Sequence, residues 1–600
     1  MSFIPKLVVV RFDIQISAQK EPPKLLRALQ HNGLSVMTVI CKLLKFLTFV
    51  TILILCLNGK DANAKEDNNL KLTKPPHIIF ILADDLGWND VGFHGSGEIP
   101  TPNIDALAYN GLILNNYYVL PVCTPSRSAL MTGRHPIHNG MQHRVLFGME
   151  TRGLPLSEKL LPEYLQKLGY STHIVGKWHL GFYRKEYTPT YRGFESHIGF
   201  WTGHQDYYDH TAEEERLWGL DMRQGMYPAW HFHGRYSTHV YTSESIRIIK
   251  NYNSTKPLFL YVSHAAVHSG NKYNPLPAPD STVDKLDYIR NYNRRKFAAM
   301  VNELDTSVGK IIAALKDAKM LRNSIIVFST DNGGPANGLN YNAASNWPLR
   351  GVKNTLWEGG VRGVAAMWTH KIGQGSIRLS KQMMHISDWL PTLYAAAGGD
   401  VRDLGDKLDG YNMWDALGEE QPSPRAEVLH NIDDIFANAA LTVNDWKLVK
   451  GTTYNGYYDS WFGPTGRNPS YRYNIGGVLG SLANRVFLTV QKPLTPHDIR
   501  QIREAATVTC GNQKLLSTEA RFSNCNPLKH PCLFNITNDP CEMDNIADSF
   551  PDILKVMEER LIEWNKTAVQ PAVVETDPRG NPRNWGNTWT NFGDFLTSNS

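Results

Sequence analysis

The 600-residue chain has no internal repeat, no excess of one charge sign, no low-complexity tract and few cysteines, seven in all. Each absence excludes a class. With 42% hydrophobic and only 20% charged residues, most of the chain is too apolar to be disordered, and its length suits two packed units better than one. The 47 glycines and 34 prolines show no period, which removes collagen-like readings. The formal net charge of +5 is local: residues 1–64 hold eight Lys/Arg against three Asp/Glu, so the 62 basic and 57 acidic residues leave 54 of each from residue 65 onward. A basic nucleic-acid footprint is therefore excluded.

Long hydrophobic runs are also missing. The single uncharged apolar stretch, Phe46 to Leu57, is too short to span a bilayer. Lys42 and Lys45 precede it and Ala62-Asn63-Ala64 follows it, which makes residues 37–64 a signal peptide with a basic start, an apolar centre and a small-x-small cleavage site. This leader starts at Met37, so residues 1–36 read as an upstream extension, and the mature chain is expected from Lys65 with no stable membrane span. Removing Cys41 and Cys56 leaves Cys123 alone and four clustered cysteines, Cys510, Cys525, Cys532 and Cys541. In an oxidising compartment these four imply two disulfides, with three possible connectivities. Sequons at Asn253, Asn535 and Asn565 fit the same route.

From residue 77 short apolar runs end abruptly in polar groups. His77 to Ala83 meets Asp84-Asp85, Thr172 to Val175 meets Gly176-Lys177-Trp178-His179, Leu258 to Val262 meets Ser263-His264, and Ile325 to Phe328 precedes Asp331-Asn332. Continuous apolar runs of this length are strands buried on both faces, hence a mostly parallel α/β sheet flanked by helices with functional groups at the strands' carboxyl ends. Helices are expected after Thr101-Pro102, over Leu160 to Leu168, and over Arg294 to Leu321, whose Phe297, Val301, Leu304, Val308, Ile311, Ile312 and Leu315 form one apolar face. Past about residue 425 the pattern shifts to short strand candidates, Trp446 to Val449, Val486 to Val490 and Pro531 to Phe534. Residues 65–425 thus read as a catalytic domain and 426–600 as a smaller α+β domain held by the four cysteines.

The most specific string is Cys123-Thr124-Pro125-Ser126-Arg127, continuing Ser128-Ala129-Leu130-Met131-Thr132-Gly133-Arg134. Thr124 and Pro125 suit a helix cap and first turn, which puts Cys123 at the N-terminus of a short helix closing at Gly133, where free N–H groups favour an anion. Asp84, Asp85, Asp331 and Asn332 each end an apolar strand, so they can converge. Three carboxylates and an amide are hard oxygen ligands suited to Ca²⁺ or Mg²⁺ and poor for zinc.

Cys-x-Pro-x-Arg with this continuation resembles the signature of the sulfatase family. Gly169-Tyr170-Ser171-Thr172-His173-Ile174-Val175-Gly176-Lys177-Trp178-His179-Leu180-Gly181 is similar to the family's second signature. The resemblance runs from about Pro76 to Asp544. Ala83 to Gly92, Leu356-Trp357-Glu358-Gly359-Gly360-Val361-Arg362 and Leu429-His430-Asn431-Ile432-Asp433 look most like the arylsulfatase B group and its relatives. The resemblance implies an alkaline-phosphatase-like fold and a sulfuric ester hydrolase whose Cys123 is oxidised to formylglycine by a formylglycine-generating enzyme. It assigns Asp84, Asp85, residue 123, Asp331 and Asn332 to one Ca²⁺. Arg127 and Lys177 would hold the hydrated aldehyde and sulfate, Lys353 and His268 would bind sulfate and protonate the leaving alkoxide, and His179 would help expel sulfate. In Val262-Ser263-His264-Ala265-Ala266-Val267-His268-Ser269-Gly270, relatives have proline where Gly270 stands. His268 is the expected histidine, from its place after Ala-Val, and His264 the alternative.

The arylsulfatase B likeness points to a sulfated carbohydrate, such as N-acetylgalactosamine 4-sulfate of dermatan or chondroitin sulfate, or another sulfated small molecule. Loops around Gly203 to Trp230 and Tyr454 to Tyr473 are rich in aromatic residues with His and Arg among them, which suits an anionic sugar. Two rival classes share the fold, a two-zinc phosphatase or phosphodiesterase and a secreted glycan-binding protein without turnover. The intact Cys123 setting opposes the first and the complete residue set opposes the second. Twenty histidines in the mature chain suit an acidic organelle, so a lysosomal or extracellular location is expected.

Overall fold

The computed structural model describes residues 74–253, 255–373, 378–419, 421–510 and 524–596; the leader and the upstream extension lie outside the described residues. The labelled elements, in chain order, are β1 (His77–Ala83), α1 (Pro102–Asn110), β2 (Leu112–Leu114), α2 (Cys123–Thr132), β3 (Ser171–Lys177), β4 (Ser196–Phe200), α3 (Ser237–Lys250), β5 (Leu258–Ser263), α4 (Tyr292–Asp317), β6 (Ser324–Thr330) and β7 (Ala365–Thr369). A second group comprises β8 (Glu427–Asp433), β9 (Asn438–Val443), β10 (Trp446–Lys450), β11 (Cys532–Asn535) and α5 (Pro551–Thr567).

The main sheet has ten strands, with β2, β7, β6, β1, β5, β3 and β4 adjacent in that order and two-residue strands at the edges. Strands β6, β1, β5, β3 and β4 run parallel, whereas β7 and β2 are joined by antiparallel pairings. Side-chain alternation explains why their sequences are apolar throughout. Along β1, Ile79 and Ile81 point into a core shared with α1, α3 and α4, and Ile78, Phe80 and Leu82 into a second core with Leu130 of α2 and Trp389. Both faces are covered, so each strand can be apolar along its whole length. Gly176 sits at φ +106° where a Cβ would lie 1.9 Å from the Ser263 carbonyl oxygen, so the close approach of β3 to β5 needs glycine there.

Four expected boundaries shift. Helix α2 is capped at Val122 and Cys123 is its first residue, so Thr124 lies within the first turn. The Thr124 hydroxyl is used elsewhere, donating to the His179 carbonyl at 3.1 Å and accepting from the Leu146 N–H at 3.2 Å. Helix α4 starts two residues early, where the Asn291 side chain accepts from the Arg294 N–H at 3.0 Å, and ends at Asp317, ahead of Lys319 in the left-handed region. The helix expected over Leu160 to Leu168 is shorter, Leu161–Lys167. Val486 to Val490 is not a strand: Leu482–Phe487 is a helix capped by Ser481, and Val486 and Phe487 join the core of α1 and α4. A five-residue run with four apolar residues fits either period, and the cap decides for helix.

Strands β8, β9, β10 and β11 form an antiparallel sheet in that order, with α5 packed on β9 and β10. The four clustered cysteines pair as Cys510–Cys541 and Cys525–Cys532. This sheet is tied to the main one by a buried ion cluster. Lys447 of β10 lies 2.9 Å from Glu358 and 2.8 Å from Glu542, and the Tyr118 hydroxyl donates to Glu358. Burial lifts the Glu542 carboxyl to about 7 against the pull of Lys447. Lys447→Met leaves Glu542 buried without its cation and Glu358 with only Arg362 at 3.6 Å, and a loss of about 3–5 kcal/mol in unfolding free energy is expected by chemical denaturation. An unchanged midpoint would show that the cluster is not a tie.

Candidate active site

The carboxyl ends of four adjacent strands deliver the polar groups. Asp84 and Asp85 follow β1, Asp331 and Asn332 follow β6, Lys177 ends β3, and His264 and His268 follow β5. Helix α2 brings Cys123 and Arg127, and a loop after β6 brings Lys353. Ligand atoms of Asp84, Asp85, Cys123 and Asp331 all lie within 4.8 Å of one another, and Asp85, Cys123 and His268 form an overlapping group.

Every cation in this buried cluster is aimed at a carboxylate. The Lys177 ammonium is 2.7 Å from Asp84, and Lys353 reaches both Asp85 oxygens at 2.7–2.8 Å. Arg127 donates through Nε and Nη2 to one Asp331 oxygen at 3.0 and 2.8 Å and through Nη1 to the Ser263 hydroxyl at 2.6 Å. Burial disfavours the charge on Arg127 and Lys353, and the carboxylates more than reverse it, holding both above their ordinary values. The Cys123 sulfur lies 3.5 Å from an Asp84 oxygen, and burial pushes its thiol up despite Lys177 and Lys353.

Backbone geometry fixes where these groups point. Asp85 has φ +64° and its N–H donates to Asp331 at 3.2 Å, while Asp84 exchanges backbone bonds with Ala266 and Val267. That exchange carries the 264–270 segment alongside β1, and the Tyr207 hydroxyl braces it through the Ala265 and His268 carbonyls, both at 2.8 Å. The two histidines separate here. His264 turns its Nε2 to the Ser307 hydroxyl of α4 at 3.1 Å, away from the cluster. His268 holds its Nδ1 against the Ser269 carbonyl at 2.7 Å, which leaves Nε2 facing Asp85 at 3.5 Å. Burial first and Lys353 second lower His268 to about 3.

His179 is also in the left-handed region, at φ +60°. Its Nε2 lies 3.0 Å from the Leu146 carbonyl, so Nε2 carries the hydrogen and Nδ1 keeps a lone pair with no hydrogen-bond partner among the described residues. Burial, then Lys177 and Arg127, keep this ring well below the ordinary histidine range.

Asn332 tests the fit of a cation. Its Nδ2 donates to Asp85 at 2.7 Å and to the Gly333 carbonyl, and its buried Oδ1 has no partner among the described residues. An orphaned amide oxygen is costly, and one beside three carboxylates completes an all-oxygen donor set. The residues present therefore fit a hard divalent cation.

Several contributors carry no motif in the sequence. Ser263 anchors Arg127, Tyr207 braces the His268 segment, and the His204 ring stacks on His268 with centroids 6.0 Å apart. Glu214 ties two loops beside His179: the N–H groups of Gly148 and Gly203 both donate to it, and Gly203 packs against the His179 ring. Their signal is the tertiary contact alone.

The arrangement defines a class: an α/β protein that gathers three carboxylates, three cations and a cysteine at a helix N-terminus on the carboxyl edge of its sheet. Residues 76–399 match the Sulfatase family model. Arylsulfatase J of Mus musculus is 40% identical over 86% of this chain and 80% of its own length. N-acetylgalactosamine-6-sulfatase of Homo sapiens is 33% identical over 61% and 70%. A solved structure described as Ps i-CgsB in complex with k-i-k-neocarrahexaose is 26% identical, with TM-score 0.63, covering 85% of this chain and 97% of that one. The chain belongs to the sulfatase family and is a sulfatase, an enzyme that hydrolyses sulfate esters. No helix among the described residues is long and apolar enough to cross a membrane.

Glu214 generates a pH prediction. Burial, reinforced by Asp221 and Glu150 and opposed by the Gly148 and Gly203 N–H groups, raises its carboxyl to about 8. A raised acid binds its proton more tightly folded than unfolded, so its contribution to stability is full below the ordinary glutamate range and is lost as pH climbs from about 4.5 to about 8. Glu214→Gln should flatten the fall in melting temperature across that window. A profile parallel to wild type would refute the assignment.

Proposed function

We propose that this sulfatase removes sulfate from a sulfated sugar, such as N-acetylgalactosamine 4-sulfate at the end of dermatan or chondroitin sulfate, with residue 123 converted to formylglycine. The observation that carries this reading is the placement of Cys123: the first residue of α2, buried, with three carboxylates and three cations converging around its sulfur. When formed, formylglycine supplies a hydrated aldehyde with one hydroxyl to attack sulfur and a second to release sulfate. Asp84, Asp85, Asp331 and Asn332, with residue 123, would hold one Ca²⁺, which offsets negative charge on a sulfate oxygen.

The chain's own groups divide the remaining work. Arg127, locked to Asp331 and Ser263, offers a fixed charge beside residue 123. Lys177 and Lys353 bind sulfate oxygens, one from each side of the carboxylate cluster. His268, whose Nδ1–H donates to the Ser269 carbonyl, takes up a second proton at Nε2 to protonate the leaving alkoxide, and His179 Nδ1, with its free lone pair, accepts a proton. Three carboxylates already balance three protein cations, so a bound divalent ion would leave a net charge of +2, which attracts the monoanionic sulfate ester and balances the sulfate dianion formed from it. Passage through the secretory pathway to a lysosomal or extracellular site, by way of the formylglycine-generating enzyme, accords with the two disulfides and with the exposed sequon residues Asn253 and Asn565.

Mass spectrometry of the proteolytic peptide containing residue 123, from protein secreted by cells that make formylglycine, tests the reading. The formylglycine mass is expected, and an unmodified cysteine in active protein would overturn it. Cys123→Ser retains one hydroxyl and lacks the second, so it should show no multiple turnover. His268→Ala should lower kcat about 10²–10⁴-fold, whereas near-normal turnover would return the role to His264. Chelation should remove activity and lower the melting temperature, with Ca²⁺ restoring both. A melting curve indifferent to chelator and Ca²⁺ would refute the cation site.

A further inference from the structure

A large cleft lies away from the catalytic cluster. It has a volume of about 1210 Å³ and runs between residues 97–105, the start of α4, the loop at 337–344 and residues 463–478. Its wall facing the reaction centre is that loop, which begins just after Asn332. Within it, the Asn342 side chain donates to the Val267 carbonyl and to the Ser269 hydroxyl, one residue to either side of His268. Asn342 thus joins the lining of the cleft to the residues on either side of His268.

The charge of the cleft is set by which groups are already engaged. Its two acidic side chains are both occupied: Glu98 is paired with Arg294 at 2.8–2.9 Å, and Asp105 accepts from the hydroxyls of Tyr473 and Thr101 and from the Phe93 N–H. Two arginines on the rim, Arg290 and Arg472, are exposed and have no hydrogen-bond or ion-pair partner among the described residues. The surface a ligand meets is therefore positive although the lining holds both signs. Tyr288 and Tyr471 stand with ring centroids 6.1 Å apart, and Tyr288 is 45% exposed. Asn293 and Asn337 are exposed beside them.

Exposed tyrosine faces suit the apolar face of a sugar ring, amides suit its hydroxyls, and guanidinium groups suit sulfate or carboxylate in a bidentate grip. We propose that this cleft is a second, non-catalytic anchoring site for an anionic glycan chain, so that the enzyme holds a sulfated polysaccharide both at the reacting sugar and across the 337–344 loop. The inference rests on the reading of the substrate as a sulfated glycan. Remote anchoring of this kind raises the effective concentration of the reacting end and is lost when the ligand is too short to reach both places.

The test compares wild type with the Arg290→Glu/Arg472→Glu double variant, whose exposed, unpartnered side chains leave the fold untouched. Binding of a labelled chondroitin sulfate hexasaccharide should weaken at least about tenfold in the variant, and a neutral chito-hexaose should bind wild type at least about tenfold more weakly than the sulfated chain. Tyr288→Ala should weaken the sulfated chain by about threefold to tenfold through the lost ring face. The ratio of KM for the hexasaccharide to KM for a small aryl sulfate should rise about tenfold in the double variant. Sulfated-chain affinity within twofold of wild type, equal affinity for the neutral chain, or tighter binding of a single-stranded oligonucleotide of similar length would overturn the proposal. Failure of the catalytic reading shows separately, as no sulfate release from any ester, and leaves the binding comparison intact.

Discussion

Three carboxylates and three cations are buried together at the carboxyl edge of the sheet, and neither set could remain there alone. Asp84, Asp85 and Asp331 are fully buried, as are Arg127 and Lys177, with Lys353 nearly so. An isolated ion in such a place would lose its hydration for nothing in return, and the pairing of opposite charges offsets that loss only while the geometry is kept. The rest of the structure can be understood as what keeps it. Two apolar layers clamp β1 and β6 so that their last residues emerge at fixed positions. Arg127 is gripped at Nε, Nη1 and Nη2, so it cannot follow a ligand, and neither can the Asp331 it holds. The site is thus prepared before substrate arrives, which is what electrostatic catalysis in a low-dielectric setting requires.

Two strained backbone positions lie in the same place. Asp85 and His179 both adopt left-handed backbone, a conformation that non-glycine residues seldom take without local compensation. The compensation is visible in each case. The Asp85 N–H donates to Asp331, and His179 is held by Thr124 at its carbonyl and by Leu146 at its ring. The chain stays paired alongside β4 through Trp178 and His179, and the turn at His179 sets its carbonyl on the Thr124 hydroxyl of α2.

The parallel sheet was legible because burial on both faces forces continuous apolar strands, and each such run ended at a polar group that the structure brings to one edge. Cys123, Arg127, Lys177, His179, Asp84, Asp85, Asp331 and Asn332 all lie in strings whose position relative to a strand or helix end could be read directly. Lys353 came from the family resemblance alone, since nothing local marks it. The choice of His268 over His264 came from its neighbours Ala-Val, and the structure gives the physical distinction: successive turns of the segment face α4 and the cluster in turn. Ser263, Tyr207, His204 and Glu214 were illegible because each acts through a partner distant in sequence. The Val486 to Val490 run was misread as a strand because four apolar residues and a threonine carry too little periodicity to separate the two states, and the Ser481 cap that settles it precedes the run.

The helix formed around Val486 also changes how the chain's second half should be understood. Val478, Ala483, Val486, Phe487, Leu494 and Ile499 are packed in the same core as α1, α3 and α4, so this segment extends the main helical layer instead of joining the cysteine-bridged sheet. Its path brings Tyr471, Arg472 and Tyr473 over the start of α4 and the 97–105 segment, where the large cleft forms. Tyr473 is fastened there by hydrogen bonds to Asp105 and Tyr109 and lies under the Arg503 guanidinium. The contacts that fasten this strap also engage an acidic group of the cleft. Packing that closes the core of α1, α3 and α4 and charge that shapes the cleft therefore meet in one stretch of chain, which places the unpaired Arg472 across from Arg290 on a protein whose charges from residue 65 onward balance.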